Sequence, residues 1–172
     1  RDFPVEQYWR DNRLNMIHEG THGIQGLDLL GRKVLIEDGA GLQLLTARIA
    51  ATAERAEALP GLAEHGKALT GALSHLLKAT KAAWATGLPE EALANATPYL
   101  QAFGHVVLAW VWLEVALASQ QAIDSRGGAD FHLGKLAAAR YFFRYELPKI
   151  SAWLAVVETR DATCRDMHDA WY

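Results

Sequence analysis

From Tyr99 to about Ser125 the chain contains no proline, and Phe103, Val107, Trp110, Val111, Glu114 and Leu117 recur along it at helical spacing. The run is apolar most of the way round, as a helix at the centre of a bundle must be. Its most apolar part, Val106 to Leu117, is interrupted by Glu114 well short of a membrane span. No hairpin signal and no sustained period-two alternation occurs anywhere in the chain. The expected fold class is therefore all-α: an antiparallel bundle of about five to six helices.

Proline and glycine mark the remaining boundaries. Pro4 suits the first turn of a helix carrying Val5, Tyr8, Trp9 and Asn12 to Met16. Gly20 and Gly23 break it, and a second helix begins near Gly23 or Ile24, with Ile24, Leu27, Leu30 and Val34 on one face. Asp38-Gly39 is a turn. The next helix runs from about Ala40 to Leu59, through Leu42, Leu45, Ile49 and Ala53, and Pro60-Gly61 ends it. Another spans Leu62 to Trp84, and Gly87-Leu88-Pro89 separates it from a short element at Glu90 to Asn95. Thr97-Pro98 has the form of an N-cap and N1 proline for the long helix. Arg126-Gly127-Gly128 is a loop, Asp130 is positioned to cap the last long helix, and Pro148 should kink it.

The formal charge of −3 gives no electrostatic reason to expect a nucleic acid or an anionic membrane. Apolar residues make up 51% of the chain, which suits tight helix packing and a buried interface with another domain or subunit. Cys164 is the single cysteine, so no internal disulfide can form. The start, Arg1-Asp2-Phe3-Pro4, is neither a signal peptide nor an initiator region, and reads as cut from something longer.

His18-Glu19-Gly20-Thr21-His22 spells the H-E-x-x-H of zinc proteases. That chemistry needs a helix to bring both histidines to one face. Gly20 inside the turn costs such a helix about 1 kcal/mol, and Gly23 follows at once. No downstream residue stands out as a third ligand. Taken alone, His18 and His22 read more simply as a partly buried and a surface histidine at a helix junction. A zinc hydrolase is the remote alternative, and no metal ligands are assigned.

Residues 8–33, from Tyr8-Trp9-Arg10-Asp11 through Ile17-His18-Glu19-Gly20-Thr21-His22-Gly23-Ile24-Gln25 to Lys33, resemble the C-terminal domain of the acyl-CoA dehydrogenase family. The resemblance lies in that family's Y-R-D-x-R segment and its I-Y-E-G-T-x-x-I-Q loop, matched in order and spacing. Phe131 to Phe143 resembles, more loosely, the extra helical region of the larger members. On this resemblance residues 1–38 end the family's C-terminal helical domain with its catalytic-base loop. Residues 39–172 form an additional helical region packed on it.

The resemblance implies oxidation of an acyl-CoA to a trans-2-enoyl-CoA with FAD as cofactor. Glu19 is then the α-proton base. Gly20 allows close approach of the substrate, and Thr21, His22, Gly23 and Gln25 contact FAD. Acyl-CoA is the implied substrate, an electron-transfer flavoprotein the implied acceptor, and a homo-oligomer the implied assembly. The implied compartment is the cytoplasm, or the mitochondrial matrix in a eukaryote. His18 replaces the family's usual tyrosine and His22 a common serine. Neither change touches the base. The flavin and CoA of such enzymes are held largely by two further domains, so this chain by itself should be inactive. A second reading makes it a helical assembly module. Arg10, Asp11 and Arg13 are expected to form ion pairs that order the base loop, and the tryptophans and Tyr141-Phe142-Phe143 to serve core or interface.

Overall fold

The computed structural model describes residues 5–17, 21–126 and 129–171. The described chain is all-helical, with no strand among these residues. The order is α1 (Glu6–Ile17), α2 (His22–Asp28), a π-helical turn (Leu29–Lys33), α3 (Ile36–Glu57), α4 (Ala63–Ala83), the single turn α5 (Pro89–Ala92), α6 (Ala96–Arg126), α7 (Asp130–Tyr141), a second π-helical turn (Phe142–Glu146), a 3-10 turn (Leu147–Lys149), α8 (Ile150–Thr159) and a final 3-10 turn (Asp169–Trp171).

Helix α6 is the axis of the fold, and α2, α3, α4, α7 and α8 all pack on it. By length and by a mean hydropathy of 1.6 its residues 96–125 could cross a bilayer, but here the helix lies inside a bundle. Its buried face is Tyr99, Ala102, Val106, Ala109, Leu113 and Ala116. The expected stripe through Phe103, Trp110 and Leu117 lies only partly buried against that core, and Val111 is exposed. An apolar helix without a polar side gives periodicity no means of choosing the inner face, so the small residues that permit close packing choose it.

The turn at Asp38-Gly39 is present in an unusual form. Glu37, Asp38 and Gly39 hold φ of 51°, 54° and 83°, all left-handed, so the regular part of α3 begins only after them. Pro148 terminates helical pairing as expected, through a π turn and a 3-10 turn in succession. Two cap assignments differ. Helix α6 starts at Ala96, which leaves Thr97 inside the first turn. Pro98 still falls where a missing N–H costs nothing. Asp130 is itself the first helical residue of α7, after an extended Ala129, and no side chain caps that end.

Of the aromatic residues, Phe142 and Phe143 are core, and Trp84, Trp110, Trp112 and Trp153 pack against it. Tyr99 is fully buried, its hydroxyl 2.7 Å from Thr80 Oγ1. Tyr141, Trp9 and Trp171 are exposed.

Candidate functional site

Helix α1 is described as far as Ile17 and α2 from His22, and Glu19-Gly20-Thr21 lies between them in the sequence. His18, Glu19 and Gly20 themselves lie outside the described residues. Thr21 is described, with ψ of 111°, an extended and not a helical value. Thr21 therefore does not carry a helix into His22, as a helical H-E-x-x-H would require. The break expected at Gly20 falls outside the described residues, and Gly23, also expected to break the helix, is instead the second residue of α2.

Four of the sequence-derived site residues can be located: Thr21, His22, Gly23 and Gln25. All are exposed in and before the first turn of α2. Among the described residues the side chains of Thr21, His22 and Gln25 have no hydrogen-bond partner, and Thr21 does not cap the helix. A Cβ added to Gly23 would meet nothing within 4 Å. This turn offers a hydroxyl, an imidazole and a carboxamide on an open surface, which is the donor and acceptor set for a polar ligand.

What holds this turn in place is its far end. Gly26 is buried, and a Cβ there would stand 2.6 Å from the carbonyl oxygen of Ala96 at the start of α6. The approach is backbone against backbone, which glycine alone permits. Leu30 and Val34 continue the buried line, at 0% and 4% exposure. Ile24 and Leu27, expected on that inner face, are instead 62% and 46% exposed, because contact with α6 is made through the glycine and not through side chains. The π turn that follows shifts the backbone pairing, and the indole N–H of Trp84 donates to the Leu30 carbonyl at 3.1 Å. Asp28 accepts from Arg32 Nε at 2.6 Å and lies 3.5 Å from Lys33 Nζ. The Arg32 hydrogen bond holds the Asp28 carboxyl below its ordinary range.

The charged segment on α1 is partnered differently from expectation. Arg10 pairs with Glu6 at 3.3 Å, Gln7 Nε2 donates to both Asp11 oxygens at 2.9 Å, and Arg13 lies 5.6 Å from the Trp9 ring centre. Each of these partners is one turn away on α1 itself.

A second polar cluster escaped sequence reasoning. Thr52, 2% exposed, accepts from Trp110 Nε1 at 2.8 Å and donates to Glu114 Oε1 at 2.6 Å, and Arg55 pairs with Glu114. Its members are 62 and 59 residues apart in the chain, too far for any local pattern to reveal. It ties α3 to α6. Among the described residues no group of three or more His, Cys, Asp or Glu is arranged to hold a metal ion.

Comparison with known proteins agrees with this architecture. The family model described as acetyl-CoA dehydrogenase C-terminal like matches residues 45–168. The 3-methylmercaptopropionyl-CoA dehydrogenase of Ruegeria pomeroyi is 34% identical over 158 residues, 86% of this chain and 26% of that protein. The broad-specificity linear acyl-CoA dehydrogenase FadE5 of Mycobacterium tuberculosis is 26% identical, over 99% of this chain and 30% of its own length. A butyryl-CoA dehydrogenase of Syntrophomonas wolfei is 27% identical, over 92% and 27%. The chain thus spans between a quarter and a third of the length of these relatives. An all-helical bundle, matched by that model over most of its length, belongs to the acyl-CoA dehydrogenase C-terminal domain family.

Proposed function

We propose that the chain is the C-terminal portion of an FAD-dependent acyl-CoA dehydrogenase, and that Glu19 is the base that removes the α-proton of the acyl thioester. What supports the proposal is the open, exposed turn at residues 21–25, anchored by Gly26, which directly follows Glu19 and Gly20 in the sequence. An α-proton of a thioester is weakly acidic. Its removal calls for a carboxylate whose pKa is raised toward neutrality in a water-excluding site. The backbone N–H of Glu19 polarises the acyl carbonyl, and Gly20 lets the substrate approach the chain closely.

Thr21, His22, Gly23 and Gln25 form the rim for FAD; their exposed, unpartnered polar groups and the empty space at Gly23 suit a large polar ligand. FAD, when bound, supplies the acceptor for the hydride from the β-carbon. The product is a trans-2-enoyl-CoA, and an electron-transfer flavoprotein takes the electrons onward.

The isolated chain neither retains FAD nor turns over acyl-CoA. Helix α1 supports that part of the reading, since Val5, Tyr8 and Trp9, on one face at its start, are all more than half exposed, a face suited to being covered in a larger assembly. The same face favours the second reading, a module that assembles dimers or tetramers; light scattering over a concentration series distinguishes a self-associating chain from a monomer. For the flavin rim, the test is made in a polypeptide of the relatives' full length. Thr21→Val combined with Gln25→Ala should lose FAD on gel filtration while the parent keeps it. Undiminished retention contradicts the assignment of the rim.

A further inference from the structure

On a different pair of helices, α4 and α7, two cavities of about 220 and 390 Å3 adjoin and share His65 and Arg140 in their walls. The smaller is lined by three charged side chains, Arg140 and Arg144, four residues apart in the chain, and Glu64. Neither guanidinium has an ion-pair or hydrogen-bond partner among the described residues. His65 packs edge-on against Phe143, with ring centres 4.8 Å apart, and its Nδ1 is buried without a partner. Burial pushes the His65 pKa down, so the ring is neutral near pH 7. A proton on the buried Nδ1 would be a donor with no acceptor, which places it on Nε2. The larger cavity continues from His65 along Leu62, Leu133, Leu136 and Ala137, with Gln120 of α6 and Arg140 as its polar walls.

We infer that this composite pocket is a binding site for a small amphipathic monocarboxylate, with its head at Arg140, Arg144 and His65 and its apolar tail along Leu133 and Leu136. Two guanidiniums set against one carboxylate, Glu64, leave the mouth one unit positive. A single negative charge matches it, and a dianion is repelled by Glu64. The arginine fork suits a planar carboxylate, and the Nε2–H of His65 adds a third donor. The larger cavity lies within the size range of small-molecule sites, which are mostly apolar with a few convergent polar groups. The site owes nothing to Glu19 or to the flavin rim, so it stands or falls separately from the function proposed above.

The test is calorimetric titration of sodium octanoate into the chain. Saturable one-site binding is expected, weakened at least about tenfold in the double variant Arg140→Gln/Arg144→Gln. Both arginines are exposed, and an unchanged helical circular dichroism spectrum verifies that the variant is folded. 1-Octanol and acetate should each bind at least about tenfold more weakly than octanoate, the first lacking the charge and the second the tail. Octanoate should also shift the His65 Nε2 resonance. Absence of saturable binding overturns the proposal. So does equal binding by the double variant, by 1-octanol or by acetate, since each shows that head and tail are not read together.

Discussion

Gly26 on α2 and Ala96 at the start of α6 meet through their backbones, so closely that a single added methyl at Gly26 would lie 2.6 Å from the Ala96 carbonyl oxygen. This contact fixes where the exposed turn at residues 21–25 stands on the bundle. Gly26→Ala gains about 1 kcal/mol in helix propensity but forces two backbones apart, at a cost of about 1–3 kcal/mol. The expected outcome is a lower denaturation midpoint. In the full-length enzyme, looser retention of FAD should accompany it.

Two glycines of α4 provide a matched pair. At Gly66 a Cβ would lie 2.7 Å from the Ala53 carbonyl oxygen and 2.7 Å from Glu57 Cγ, whereas at Gly71 it would meet nothing within 4 Å. Gly66→Ala should therefore destabilise the chain by about 1–3 kcal/mol, and Gly71→Ala should stabilise it by about 0.5–1 kcal/mol. Urea denaturation of the two variants in parallel checks both signs.

The buried Tyr99 hydroxyl gives stability an alkaline limit. Burial pushes its pKa up to about 12 from 10.0, against a smaller opposing effect of the Thr80 hydrogen bond. The neutral form is favoured in the fold, so its contribution is complete below pH 10 and is lost as pH rises toward 12. The loss amounts to about 2–3 kcal/mol. Tyr99→Phe should lower stability by about 1 kcal/mol at pH 7 and flatten the decline above pH 10. Denaturant midpoints measured from pH 8 to 11.5 read out both effects.

Glu158 on α8 joins Lys78, at 2.7 Å, and His75, at 2.9 Å, both on α4. The Lys78 hydrogen bond leads the causes that hold its carboxyl below the ordinary range, with burial opposing. Its contribution is present above the unfolded pKa near 4.5 and is lost as pH falls through the lower folded value. Glu158→Gln should cost about 1 kcal/mol at pH 7. The gap to the parent should close in melting curves recorded below pH 4.

Breakpoints were more legible in the sequence than inner faces. Asp38-Gly39, Pro60-Gly61, Gly87-Leu88-Pro89 and Pro148 all interrupt helices because their backbone preferences act locally. The inner face of α6 was not legible, since an almost wholly apolar helix carries no polar side to orient it. Ile24 and Leu27 misled for a related reason: a glycine, which carries no hydrophobic signal, makes the contact. The π turns at Leu29–Lys33 and Phe142–Glu146 depend on partners distant in sequence, as Trp84 is from Leu30. Gly23 misled as a helix breaker, since it stands in the first turn of α2, where the backbone N–H groups lack helical partners whatever the side chain. The His65–Arg140 pocket was not legible, because its walls come from segments far apart in the chain, α4, α6 and α7 with the π turn after it.

The role of Glu19 is tested most directly by anaerobic mixing of acyl-CoA with the FAD-loaded full-length enzyme and its Glu19→Gln variant. If Glu19 removes the α-proton, the variant keeps its FAD but the rate of flavin bleaching falls at least about a hundredfold. Bleaching at the parent rate, with FAD bound in both, would contradict the assignment.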